Sequence, residues 1–344
     1  MSANPTPAVR ANLACFLPIV VAFALATELH SAEYHVAING SDSQNGTQAF
    51  PLRTIQQAAN LAQPGDVITV HAGVYRERVN PPRGGTSDKK RIVYQAAPGE
   101  KVTITGAEPL KGWEKVGSDT WKVIVPNPYF GNFNPFSHKI QGEWCEPTGR
   151  HAGSVYLNGE WLTESLELEP VLKAAGNLPL WFAEVGVAGD TTTIWAQFPG
   201  VNPNEADVEI SKRQSVFYPS KTGINYITVR GFELCRAATP WGGAMSEQVG
   251  LIGTHWSKGW VIESNHIHHS MCKGVALGRY ELPPKRVASR HRAGLCEVHG
   301  TGSPRWLVKR EDRQPRCPQQ PYPPLPEERH PRQPRGRLLG DLRE

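Results

Sequence analysis

Residues 33–106 are short apolar runs, each broken within a few positions by Gly, Pro or Asn. Tyr34-His35-Val36 predicts a strand, and a loop rich in Gly, Ser, Asp and Asn follows from Asn39 to Gly46. Val67-Ile68-Thr69-Val70 predicts a second strand, closed by Gly73. Arg91–Tyr94 and Val102–Ile104 predict two more, with Pro98-Gly99 turning between them. One helical pattern interrupts: Thr54 is placed to cap it, and Ile55, Ala58, Ala59 and Ala62 recur at i, i+3, i+4 and i+7 before Pro64-Gly65-Asp66. Strands this short, without long helices between them, exclude a doubly wound sheet. They fit a coil of stacked rungs in which each strand pairs with its counterpart one turn on.

Two later segments read as such rungs: Tyr226–Phe232 and Trp260–Ile267, whose starts lie 34 residues apart. That is within the range of solenoid repeats. In this alignment Gly231 falls beside Asn265, which predicts a left-handed backbone at both. The helix near Thr54 is expected to close one end of the coil's apolar core. Residues 107–210 differ in texture. They hold six of the ten Trp (Trp113, Trp121, Trp144, Trp161, Trp181 and Trp195) and alternating runs such as Thr192–Ala196. Asn158-Gly159 between two such runs is a strong hairpin signal. A small antiparallel sandwich inserted into the coil is the expectation.

Charge narrows the function classes. The net charge is +5, but residues 283–344 hold 14 Lys+Arg against 7 Asp+Glu, which leaves 23 and 25 for residues 1–282. The body is near neutral, so a nucleic-acid partner has no support there. The Leu13–Ala26 apolar run after Arg10 is short for a membrane span and contains Pro18. It reads as an export signal cleaved near Ala32, giving a secreted or periplasmic product with no membrane attachment. Six Cys without CxxC spacing give neither a disulfide framework nor a structural zinc site.

Several blocks together resemble glycoside hydrolase family 120. They are Tyr34–Gly40, Ala62–Asp66, Gly73–Glu77, Phe130–Pro135, Phe217–Pro219, Thr222–Val229, Ala237–Trp241, Gly250–Gly253 and Trp256–Trp260. The early Gly-Asp-x-Ile-x-Val pattern is shared by many β-helix enzymes, whereas the last blocks are specific. The resemblance covers about residues 34–282 and implies a right-handed parallel β-helix with an inserted antiparallel β-sandwich, all-β in class. It implies a retaining β-xylosidase with an Asp nucleophile and a Glu acid/base, a pair that must stand about 5–5.5 Å apart. Both family carboxylates lie in later rungs and match no position here. No catalytic residue is therefore assigned, and this chain is expected to be inactive. Trp144, in Gly142-Glu143-Trp144, resembles an aromatic that the family places at the sugar site, and Trp241 is a weaker candidate. The expected partner is a xylan-derived oligosaccharide or plant cell-wall polysaccharide, with no cofactor and no metal.

The resemblance stops at residue 282. Residues 283–344 contain 11 Pro and no Ile, Phe or Asn, so they cannot continue the rungs. Codons can be chosen for Arg305–Tyr322 such that the shifted frame reads DGWSKEKIGSHVVRNNHI, a rung-like string that echoes Trp256-Ser257-Lys258 and Asn265-His266-Ile267. A frameshift near Tyr280–Pro283 is the expectation, and deep genomic reads over codons 278–300 test it. The exposed coil end predicts poor solubility. The expected layout is thus a signal at 1–32, an N-terminal cap and first rungs at 33–106, the sandwich at 107–210, rungs at 211–282 and the unrelated tail at 283–344.

Other constellations carry less. His266 and His268 share a strand face and His269 does not, but no third ligand follows along the chain, so they read as surface or turn residues. Glu233 and Glu263 read as ladder positions on a solvated sheet. A non-catalytic carbohydrate-binding surface protein and a polysaccharide lyase are the alternatives. The lyase reading lacks the Asp cluster expected for calcium.

Overall fold

The structure is a computed structural model that describes residues 31–140, 149–186, 188–242 and 247–277. It is all-β apart from two short helices and one 3-10 turn. All but the last two residues of the predicted signal, together with Trp144, the tail and the frameshift point, lie outside the described residues. Among the described residues, no helix is long and apolar enough to cross a membrane.

Three columns of parallel pairing organise one part of the chain. The first joins Glu33–Val36, Val67–Val70, Ile92–Ala96, Ile227–Arg230 and Val261–Glu263 in that order. The second joins Gly73–Tyr75, Val102–Thr105, Glu233–Ala237 and His266–Ser270. In the third, Val79 bridges Phe217, Phe217 bridges Ile252, and Ile252–Gly253 pairs with Val275–Ala276. The chain visits the columns in the same order on each pass. Val36, Ile68, Ile92, Ile104, Phe217, Val229 and Leu234 project between the columns into one apolar core.

The helix forms where its pattern predicts, at Ile55–Leu61. The Thr54 side chain accepts from the Gln57 N–H, and Ile55, Ala58 and Ala59 are buried against the core. Asp66 ends the following turn, with its carboxylate accepting from the N–H groups of Gln63 and Ala32.

Two sequence expectations need correction. Gly73 opens a second-column strand rather than closing a first-column one, because Gly73–Tyr75 pairs with Val102–Ile104. The rung offset is 33 rather than 34, since Thr228 pairs with Val261 and Glu233 with His266. Gly231 therefore stands above Ser264, and both take a positive φ, 80° and 53°. Asn265 does not need that backbone. Its amide instead bridges rungs, accepting from the Phe232 N–H and donating to the Val229 carbonyl.

Between Thr105 and Ser215 the chain builds two further sheets. Glu160–Trp161, Val155–Leu157, Val208–Ser211 and Ala107–Pro109 form one, entirely antiparallel. Thr163–Glu164, Leu180–Val185, Thr191–Gln197, Thr120–Pro126 and Glu114–Lys115 form the other, antiparallel except for its first pair. Asn158 and Gly159 both adopt positive φ at the hairpin tip, as a two-residue type I′ turn demands. Trp113, Phe136, Trp181, Ile194 and Val208 belong to a second core.

Candidate functional site

The outer face of the third column carries a dense polar group. Val79 and Phe217 point into the core, so their neighbours Arg78 and Tyr218 point outward. The Arg78 guanidinium lies 5.8 Å from the Tyr218 ring centre, and its Nη2 donates to the Tyr218 carbonyl at 3.3 Å. The Tyr218 hydroxyl donates to Glu247 at 2.8 Å. His255 stacks on Tyr218 with ring centres 5.2 Å apart. Its Nδ1–H donates to the Pro219 carbonyl at 2.8 Å, which leaves Nε2 facing Glu247 at 3.5 Å. Burial lowers the Arg78 pKa. Burial and the Glu247 carboxylate both raise that of Tyr218. The result is a cation, an anion, a phenol and an imidazole held together beside solvent, with the Arg78 Nε buried and unpartnered.

The backbone on either side of Trp241 is held by hydrogen bonds. The Gly242 carbonyl after it accepts from the Gln248 amide at 3.1 Å, and Gln248 follows Glu247. On its other side, Lys273 donates to the Pro240 carbonyl. Trp241 is half-buried. Aromatic faces suit the apolar face of a sugar ring, and hydrogen-bonding side chains suit its hydroxyl edges. The sequence reading named Trp241 and did not name Arg78, Tyr218, Glu247 or His255. Of those four, only Tyr218 lay within a family-like block, Phe217-Tyr218-Pro219.

A second concavity, of about 420 Å³, lies in the antiparallel region and is lined by Phe136, Lys139, His151, Glu164 and Phe182 among others. Glu164 is buried, and both its oxygens accept from the His151 N–H at 3.1 Å. The His151 ring donates through Nδ1 to Glu164 at 2.6 Å. Lys139 bridges His151 where the chain enters and leaves residues 141–148, the segment that carries Trp144.

Of the two ladder carboxylates, Glu263 pairs with Arg230 at 3.7 Å along the first column, as a solvated ladder position should. Glu233 has richer surroundings. It accepts from Thr103 at 2.5 Å and His268 at 3.1 Å, with Lys101 at 3.3 Å. Burial alone would raise its pKa, but those three partners outweigh burial and hold it at about 2. Glu233 thus stands across the ladder from His266 and accepts from His268.

Residues 110–179 match the glycoside hydrolase 120 insertion domain, and residues 38–81 match a family described as a protein of unknown function, DUF1565. A solved structure titled as the complex of XylC with xylose is 44% identical, covers 71% of this chain and superposes with a TM-score of 0.67. The chain resembles glycoside hydrolase family 120. The likeness makes it similar to carbohydrate-active enzymes as a class. The uncharacterized protein YwoF of Bacillus subtilis (strain 168) is 35% identical over 82 residues, 24% of this chain. The chain spans 41% of the length of XylC and 17% of that of YwoF.

Proposed function

We propose that this chain is part of an exported β-xylosidase-like protein of family 120, and that it binds a xylan-derived oligosaccharide without hydrolysing it. The reading rests chiefly on the 44% identity to XylC, whose structure holds xylose. The three parallel columns are then rungs of a right-handed parallel β-helix, with residues 107–210 as an inserted β-sandwich. The repeated visiting order of the columns and the antiparallel pairing of the intervening sheets support this.

In this proposal a sugar ring lies on Trp241, and Arg78, Glu247 and His255 take its hydroxyls. The retaining carboxylate pair that the family resemblance implies lies outside the residues matched. Glu247 serves as a fixed acceptor, since Tyr218 and His255 already face it.

Titration of the full chain with xylobiose, alongside an assay for nitrophenol release from an aryl β-xyloside, tests the reading. Saturable binding that weakens about 10-fold or more in Trp241→Ala, with no release, is expected; each stacked aromatic contributes about 0.5–1.5 kcal/mol beyond its area. Turnover by this chain would overturn the non-hydrolytic part. Binding indifferent to Trp241→Ala and Arg78→Met would overturn the site.

A further inference from the structure

We propose that Glu233, His266 and His268 form a binding site for a divalent cation of the zinc class on the outer face of the second column. The proposal is independent of the sugar reading. Three donor atoms, one from each residue, lie within 4.8 Å of one another. The backbone explains why they meet. His266 and His268 are two apart on one strand, so both rings leave the same face and stack with centres 4.4 Å apart. Glu233 stands directly opposite His266 on the neighbouring parallel strand.

The ligand chemistry is selective. Two imidazoles and one carboxylate suit zinc and its neighbours rather than calcium or magnesium, which prefer all-oxygen sets. A tetrahedral ion with bonds near 2.0–2.1 Å needs donors about 3.3 Å apart. Glu233 and His268 already stand at 3.1 Å, and His266 is exposed and can rotate to close the third edge. The fourth position faces solvent.

Neighbouring groups hold these ligands as metal sites require. Thr103 donates to the second oxygen of Glu233, which orients the first toward the histidines. The Nδ1 of His268 is hydrogen-bonded to the Nδ1 of His269, whose Nε2 lies 3.5 Å from Glu160. With the cation on Nε2, the His268 Nδ1–H donates to His269, the usual support for a ligating imidazole. Lys101 is the competing cation at 3.3 Å from Glu233; its side chain is 80% exposed and is free to swing away. Cys235 lies opposite His268 and is buried.

The test measures Zn²⁺ bound per full-length chain after equilibrium dialysis, and the visible spectrum of the Co²⁺ form. Wild type should hold one equivalent more than Glu233→Gln, His266→Ala or His268→Ala, and those variants should lose the tetrahedral Co²⁺ bands. Thr103→Val should weaken the site about 10–100-fold, the usual effect of removing a residue that orients a ligand. Tail residues such as His291 and Cys296 are present in every sample, so only the difference counts. Equal stoichiometry and an unchanged Co²⁺ spectrum across the variants overturn the proposal. His266 is exposed and its replacement does not open the core, so that comparison stands even if another variant loses its far-UV circular dichroism.

Discussion

Replacing Thr54 by Ala removes the acceptor for the Gln57 N–H at the start of the helix. The urea midpoint should report a loss of about 1 kcal/mol, and Thr54→Ser should restore most of it. Glu77 sits at the same helix terminus, accepting from the Ile55 and Gln56 N–H groups at 3.0 and 2.9 Å. Burial nevertheless raises its pKa, outweighing those two bonds. A carboxyl raised in the folded state contributes stability that is fully present below the unfolded pKa and is lost as pH rises through the folded value. Stability measured from pH 4 to pH 7 in wild type, minus that of Glu77→Gln, should therefore decline as pH rises. A difference that grows with pH would show the backbone bonds prevailing over burial. Thr54 was legible in the sequence because capping depends on near neighbours. Glu77 was not, because its partners lie 22 and 21 residues away.

At the scale of elements, the rung register rests on which positions tolerate left-handed backbone. Gly231 has φ 80°, and a Cβ there would lie 3.3 Å from that of Ala96 on the adjacent rung. Gly231→Ala should cost about 1–2 kcal/mol, the penalty for an L side chain in that region, read as a lower melting temperature. Aligning the two rungs by residue type placed Gly231 beside Asn265, because both types favour positive φ. Pairing instead satisfies strand hydrogen bonds first, and that put Ser264 at the turn and released the Asn265 side chain to bridge rungs. The hairpin at Asn158-Gly159 met no such competition, since its two strands are neighbours in the chain.

Across the molecule, partly buried ion pairs tie the antiparallel sheets to the parallel columns. Glu209, on Val208–Ser211, is 2% exposed at its side chain and takes both Arg76 and Arg236. Arg213 pairs with Glu108 at 2.5 Å close by. Removing Glu209 leaves two partly buried guanidinium groups without their shared carboxylate. Glu209→Ala should therefore cost about 3–5 kcal/mol in chemical denaturation. Replacing all three by Met, Leu and Met should recover much of that loss, since well-packed apolar groups often equal a buried ion cluster. Arg76, Glu209 and Arg236 are scattered in sequence, and nothing in their local patterns marked them as partners.

The sequence by itself determined what depends on local period and turn chemistry. That covers the all-β class, the short strands, the capped helix, the hairpin and, through its longer blocks, the family likeness. Tertiary structure decided what depends on stacking. Parallel pairing within a column brings residues far apart in the chain into contact, so side chains 33 positions apart become neighbours while adjacent ones face opposite ways. This is how Glu233 reaches His266 and His268, and how Arg78 reaches Tyr218, 140 residues on. An error of one residue in the assumed repeat turns every such neighbour to the wrong face, which is why the columns were legible in the sequence and their outward-facing sites were not.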